Sequence, residues 1–121
     1  MKNILIICDN INEITRLRKL FGEDFKVSGS NSPENALDVM QNRLLDLVIF
    51  QVPADMNRLF AFYKAVRQES KTERLPLVFV TDEAMLNVLN EVTALENAVM
   101  IAAPVTAEAV RSVINSFFAD I

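Results

Sequence analysis

Four short segments of this chain are apolar at every position rather than at every second one. They span residues 4–8, 47–50, 77–80 and 99–102. A strand with one solvated face alternates apolar and polar residues, whereas a strand covered on both faces is apolar throughout. These segments therefore predict strands covered on both faces, in a parallel sheet that has helices on both sides. A weaker, alternating segment at residues 25–27 predicts an edge strand.

Each predicted strand is followed by a stretch with apolar residues at helical spacing. In chain order these residues are Ile11, Ile14, Leu17, Phe21; Ala36, Leu37, Met40, Leu44; Met56, Leu59, Phe60, Tyr63, Val66; Ala84, Val88, Val92, Leu95; and Val110, Val113, Ile114, Phe117. Gly22 suits a left-handed cap at the end of the first helix. Ser32, followed by Pro33, suits the start of the second helix, and Thr106 that of the fifth.

Strict alternation of strand and helix over 121 residues predicts an α/β fold. Short loops and right-handed crossovers then favour one three-layer, doubly wound (βα)5 domain over residues 1–121. We expect a flavodoxin-like parallel sheet with strand order 2-1-3-4-5.

The composition excludes several classes of function. A net charge of -4 without a run of Lys or Arg argues against nucleic-acid binding. The single cysteine, Cys8, excludes an internal disulfide framework, and the absence of histidine removes imidazole bases and the commonest zinc ligand. Without a leader-like start or an apolar stretch of about 18 residues, we expect a cytoplasmic chain with no membrane contact.

A ligand site in such a sheet lies outside the carboxyl ends of the strands, where the strand order reverses. Four predicted loops meet at that edge. Their residues are Cys8-Asp9-Asn10, Gln51-Val52-Pro53, Thr81-Asp82 and Ala103-Pro104.

Residues 1–10, 46–51, 75–81 and 103–104 carry a resemblance over essentially the whole chain. The sequence resembles the receiver domains of bacterial two-component response regulators. In that family two adjacent acids end the first strand, a phosphoacceptor aspartate ends the third, a switch threonine ends the fourth, and a lysine precedes the proline after the fifth. The resemblance implies a phosphorelay signalling domain.

The site residues of this chain depart from that pattern. Cys8 stands at the first acid, Asp9 keeps the second, Gln51 replaces the phosphoacceptor, Thr81 is retained and Ala103 replaces the lysine. Acyl-phosphate formation needs a carboxylate nucleophile, and an amide is a poor one. Magnesium prefers several carboxylate oxygens, so we expect no metal site and no cofactor beyond weak Mg²⁺ binding at Asp9.

We therefore expect a degenerate receiver, or pseudo-receiver, that is not an enzyme. It would bind a protein partner or form a homodimer independently of phosphorylation. One alternative is a functional phosphorelay receiver with an atypical site, in a shifted register that pairs Asp9 with Asn10 and reaches Asp55. A small flavodoxin-like redox or cofactor-binding enzyme using Cys8 ranks last, because there is no Gly-rich phosphate loop.

Two of the site residues, Cys8 and Thr81, each have two interpretations. Cys8 is a redox sensor or a packing residue, and the neighbouring carboxylate of Asp9 favours packing because it raises a thiol pKa. Thr81 is a switch hydroxyl or the N-cap of the fourth helix.

The predicted fourth helix has an apolar arc of roughly 200°, wider than one sheet face covers. Its outer rim includes Met85, Leu86 and Leu89. These residues are a candidate partner surface, unless neighbouring helices bury them.

Overall fold

The computed structural model describes residues 2–51, 56–82 and 97–118. Its strands are β1 (Lys2–Ile7), β2 (Phe25–Ser30), β3 (Leu47–Gln51), β4 (Leu77–Thr81) and β5 (Ala98–Ala102). Its helices are α1 (Ile11–Phe21), α2 (Pro33–Asn42), α3 (Met56–Gln68) and α4 (Ala107–Phe118). Thus α4 is the fifth helix of the sequence prediction, and the predicted fourth helix lies outside the described residues.

The five strands form one parallel sheet in the order β2-β1-β3-β4-β5. This confirms the predicted α/β, flavodoxin-like topology. In the central pair, Ile7 of β1 lies opposite Phe50 of β3, and Phe50 in turn lies opposite Phe79 of β4. All five strands therefore end at the same edge of the sheet.

Two apolar layers cover the faces of this sheet. Ile4 and Ile6 point to a layer that includes Leu17 of α1 and Val110 of α4. Leu5 and Ile7 point to the opposite layer, which includes Met40 of α2 and Leu59 of α3. Successive side chains of a strand point to opposite faces. β1, β3 and β4 are buried on both faces for this reason, as their uninterrupted apolar sequence predicts. The prediction is wrong for β5, which lies at the other edge of the sheet and is half-buried along its length.

The predicted helix caps are present. Ser32 precedes α2 and its hydroxyl accepts a hydrogen bond from the Asn35 N–H at 3.2 Å. Thr106 does the same for the Ala109 N–H at 3.1 Å, ahead of α4. Gly22 ends α1 with φ 80 and ψ -169, while its N–H donates to the Arg18 carbonyl. Its φ is positive as expected, but its ψ lies outside the left-handed helical region.

Several local predictions were wrong. Leu44 was placed in the second helix, but α2 ends at Asn42 and Leu44 is exposed. Ile11 is the first residue of α1, in agreement with its helical spacing, but its side chain is exposed. β2 runs to Ser30, beyond the apolar segment that predicted it. Capping residues and the adjacent loops determine where a helix begins and ends and whether side chains of its first turn are buried. The spacing of apolar residues does not indicate either.

The apolar stripe of α3 was incomplete. Phe62 is buried and stacks on Phe50 with 4.7 Å between ring centroids, although the predicted stripe omitted it.

Among the described residues, none of the helices combines the length and the apolar character needed to cross a bilayer.

Candidate functional site

The predicted site residues follow or end the strands of the sheet. Cys8 follows β1, Gln51 ends β3, Thr81 ends β4 and Ala103 follows β5. The parallel register brings these four positions to one edge, as the sequence predicts. The identity of the side chains then decides what the edge can do.

Cys8 and Gln51 contact each other directly. The Cys8 thiol donates a hydrogen bond to Gln51 Oε1 at 3.2 Å. Their positions follow immediately after the opposed residues Ile7 and Phe50, so the strand register itself sets their proximity. Where two carboxylates would repel each other, a thiol and an amide form a neutral donor–acceptor pair.

The environment of Cys8 disfavours its thiolate. The side chain is 6% exposed and belongs to the apolar layer beneath α1 and α4. Burial raises the pKa of the Cys8 thiol, and the nearby carboxylate of Asp9 raises it further, against a lowering by the Asn10 N–H. A reactive cysteine needs a lowered pKa and exposure, so this geometry supports the packing role.

The side chains of Asp9 and Asn10 have different roles in the loop between β1 and α1. Asp9 is exposed at the mouth of the site, on the loop between β1 and α1. The Asn10 side chain caps α1 by accepting from the N–H groups of Asn12 and Glu13, at 3.0 and 3.4 Å. The side-chain oxygen of Asn10, Oδ1, is therefore engaged in the helix cap. This argues against the shifted register, in which Asn10 would stand beside Asp9 as a site residue.

Thr81 and Ala103 are joined through their backbones. The Ala103 N–H donates to the Thr81 carbonyl at 2.8 Å. Thr81 is 5% exposed at the end of β4, while Ala103 is exposed and is linked to Pro104 by a cis peptide bond. The methyl group of Ala103 offers no charge to a ligand at this edge.

A cavity of about 260 Å³ opens between the ends of β1 and β3. Cys8, Asp9 and Gln51 line it, and so do three residues that the sequence reasoning missed: Asn31, Ser32 and Arg58. Asn31 and Ser32 follow β2, whose carboxyl end also lies at this edge, so the strand order alone could have predicted them as lining residues. Arg58 lies near the start of α3. Its position in the first turn of the helix that follows β3 was the sequence feature that could have indicated it as a lining residue.

Arg58 brings a cation to the edge at which Ala103 supplies none. Its Nη2 lies 4.0 Å from Glu34 Oε1, with both side chains more than half exposed. An exposed pair at this separation interacts weakly, since solvent screens both charges. Arg58 thus sits at the rim of the cavity rather than in a fixed, charge-balanced position.

Four predicted residues lie outside the described part of the chain. They are Asp55, the acceptor of the shifted register, and the candidate partner residues Met85, Leu86 and Leu89. The suggestion that Thr81 caps the predicted fourth helix depends on the same undescribed segment. These expectations therefore stay predictions.

Solved structures with the same architecture match this chain along nearly its whole length. The chemotaxis response regulator CheY4 of Vibrio cholerae superimposes with a TM-score of 0.82, 21% identity, and coverage of 98% of this chain and 99% of that chain. A response regulator receiver domain protein from Clostridium thermocellum superimposes with a TM-score of 0.79 and 17% identity. This match covers 99% of this chain and 96% of that chain. This chain has the receiver-domain fold.

A third match is the receiver domain of the sensor histidine kinase PA1611 from Pseudomonas aeruginosa. It has a TM-score of 0.78 at 16% identity, covers 98% of each chain, and holds a magnesium ion in its active-site cleft. No family model and no curated protein matches this sequence. The receiver-domain fold is thus retained at low sequence identity.

Proposed function

We propose that this chain is a single receiver-like domain that signals through protein contacts without being phosphorylated. The observation that carries this proposal is the hydrogen bond from the Cys8 thiol to Gln51 Oε1. It joins the two positions at which the receiver pattern has a metal-binding acid and the phosphoacceptor. A side-chain amide lacks the carboxylate oxygen that would attack a phosphoryl group.

The remaining site residues support the same proposal. Magnesium requires several hard oxygen ligands in near-octahedral geometry, and of the acidic positions in the receiver pattern Asp9 is the one that keeps its carboxylate here. Weak Mg²⁺ binding at Asp9 is part of the proposal, and a structural or catalytic metal is not. Ala103 brings no cation to balance a phosphate, and Arg58 lies at the rim of the cavity with its side chain more than half exposed.

The proposed activity is binding, not catalysis. A scaffold that keeps its sheet, core and helix caps while its site residues form a neutral pair is suited to presenting surfaces to a protein partner. The partner is a protein or a second copy of the chain. Nucleic acid and membrane are not proposed partners, since the net charge is -4 and no basic run is present.

An NMR titration with Mg²⁺ and beryllium trifluoride tests this proposal, because the latter mimics a phosphoryl group on a carboxylate. At constant Mg²⁺, we expect beryllium trifluoride to cause no saturable shift of the amides of Asp9, Gln51 and Thr81. The matched control is the triple variant Cys8→Asp, Gln51→Asp, Ala103→Lys, which supplies the missing carboxylates and cation. Saturable shifts that beryllium trifluoride causes in the unmodified chain would contradict the proposal and favour a functional phosphorelay receiver.

A further inference from the structure

Gln51 contributes hydrogen-bond donors to the site cavity, the cavity between the ends of β1 and β3. Its Oε1 accepts the hydrogen bond from the Cys8 thiol. A primary amide has one acceptor oxygen and two N–H donors, so the Nε2 group keeps both of its hydrogens. No described residue accepts a hydrogen bond from this Nε2 group. The receiver pattern has an acceptor-only carboxylate at this position, whereas this chain has a donor.

Two further lining residues, Asn31 and Ser32, are in the same condition. Asn31 Oδ1 accepts from Asn35 Nδ2 at 3.1 Å, and the Ser32 hydroxyl accepts from the Asn35 N–H at 3.2 Å. The Asn31 Nδ2 group and the hydroxyl hydrogen of Ser32 have no acceptor among the described residues. Together with Gln51, these groups favour a ligand that carries acceptor oxygens, such as a carboxylate.

Charges of both signs line the site cavity. Arg58 and Asp9 are the charged residues among its described lining residues. Asp9 forms no hydrogen bond or ion pair with any described residue. Glu34, 4.0 Å from Arg58, is not a lining residue, and its side chain is 75% exposed. A simple anion would be repelled by Asp9 and Glu34, and a simple cation by Arg58. A ligand that carries one charge of each sign complements both lining charges.

The size and the apolar part of the lining limit the ligand further. The site cavity has a volume of about 260 Å³, below the roughly 300–1,000 Å³ of pockets for drug-sized ligands. Ile7, Pro33 and Phe50 supply its apolar lining. The charged residues belong to the connections that follow two adjacent strands, β1 and β3, about 4.8 Å apart. The cavity therefore suits a small molecule with two nearby charges and an apolar group.

We propose that the site cavity binds a free α-amino acid with an apolar side chain. Its carboxylate accepts hydrogen bonds from Arg58 and Gln51 Nε2, and its ammonium group donates to Asp9. Its side chain lies against the apolar part of the lining. Hydrogen bonds in which both groups are charged are stronger than neutral ones, so the two charged contacts supply most of the affinity. The inference rests on the proposed function, because it assigns Gln51 to reversible binding instead of phosphoryl transfer.

An amide NMR titration with L-leucine, L-valine and L-methionine in turn tests this proposal. The buffer contains no Mg²⁺, which would compete for Asp9. We expect saturable shifts that are largest at the amides of Asp9, Asn31 and Gln51. Isocaproate has the leucine side chain and carboxylate without the ammonium group, and isoamylamine has the side chain and the ammonium group without the carboxylate. Each should bind roughly tenfold more weakly than L-leucine.

Substitutions at the two charged positions test the contacts themselves. Asp9→Asn and Arg58→Gln should each weaken L-leucine binding roughly tenfold, and both should fold because both residues are exposed. Lys64→Gln removes a charge at an exposed position of α3 away from the cavity and should bind normally. No saturable shift with any of the three amino acids would overturn the proposal. Equally tight binding of isocaproate or of isoamylamine would also overturn it, since one charge would then suffice.

The two proposals fail separately. Absence of amino-acid binding, together with no response to beryllium trifluoride, would remove the ligand and leave the phosphorylation-independent function standing. Saturable shifts caused by beryllium trifluoride would remove that function whatever the amino acids do.

Discussion

The thiol of Cys8 and the amide oxygen of Gln51 lie 3.2 Å apart although 43 residues separate them in the chain. The hydrogen bond spans the first and third strands at the edge where a receiver-type site would be. It converts the centre of that edge into a neutral contact that belongs to the protein interior.

Removing the donor of this contact should destabilise the domain. Cys8→Ala leaves Gln51 Oε1 without its thiol partner and removes a buried sulfur, so we expect a loss of about 1–2 kcal/mol in the free energy of unfolding. Cys8→Ser keeps a donor and should lose less. Urea denaturation of the three proteins measures both changes. Equal losses for the two variants would show that packing alone is responsible.

The raised pKa of the Cys8 thiol predicts a pH dependence of stability. As pH rises, the unfolded chain loses the thiol proton before the folded protein does. The stabilising contribution is therefore complete below the ordinary thiol pKa of 9.0 and is lost as pH rises through the folded pKa. Urea midpoints between neutral and strongly alkaline pH measure it. Cys8→Ser has no thiol to titrate, and a slope unchanged by that substitution would refute the assignment.

Gly29 is a position where a side chain would collide with a neighbour. A Cβ atom there would lie 2.9 Å from Ile14 Cγ2 and 3.0 Å from Ile14 Cδ1. Gly29→Ala should cost about 1–3 kcal/mol by overpacking. In a double-mutant cycle with Ile14→Ala, which opens the space, the two costs should be less than additive. Additive costs would mean that the collision is relieved elsewhere.

Arg67 holds the end of α3 to the chain before β4 and β5. Its Nη1 donates to the carbonyls of Leu75 and Thr72, at 2.8 and 3.3 Å, and its Nη2 to that of Asn97 at 3.3 Å. Lysine cannot reproduce this fork, so Arg67→Lys should lose about 1–3 kcal/mol of unfolding free energy. Arg74→Lys, at an exposed position nearby, is the control in thermal denaturation. Equal melting temperatures for both variants would contradict the role of the fork.

The sheet could be predicted from sequence because burial on both faces leaves a direct mark. The segments 47–50 and 77–80 are apolar throughout, and β3 and β4 are buried at these residues. Once the strand order follows from alternation, the meeting of Cys8 with Gln51 follows from the topology. The fold, and the sheet edge at which these side chains meet, could therefore be predicted from the sequence.

Other features depend on tertiary neighbours. The exposure of Leu44 follows from where α2 ends, and the arrival of Arg58 at the site cavity follows from how α3 begins. Neither leaves a mark in apolar spacing, because both depend on the local path of the chain. The Cys8 hydrogen bond is of the same kind: topology predicts the proximity, whereas the rotamers that align donor and acceptor do not follow from it.

The register of β1 against β3 has an evolutionary consequence. Ile7 and Phe50 lie opposite each other inside the sheet, and the residues immediately after them meet outside it whatever their side chains are. A change of residue at position 8 or 51 can thus alter the contact between these two side chains while the surrounding architecture persists. The architecture of this edge and the chemistry that it carries can therefore change independently of each other.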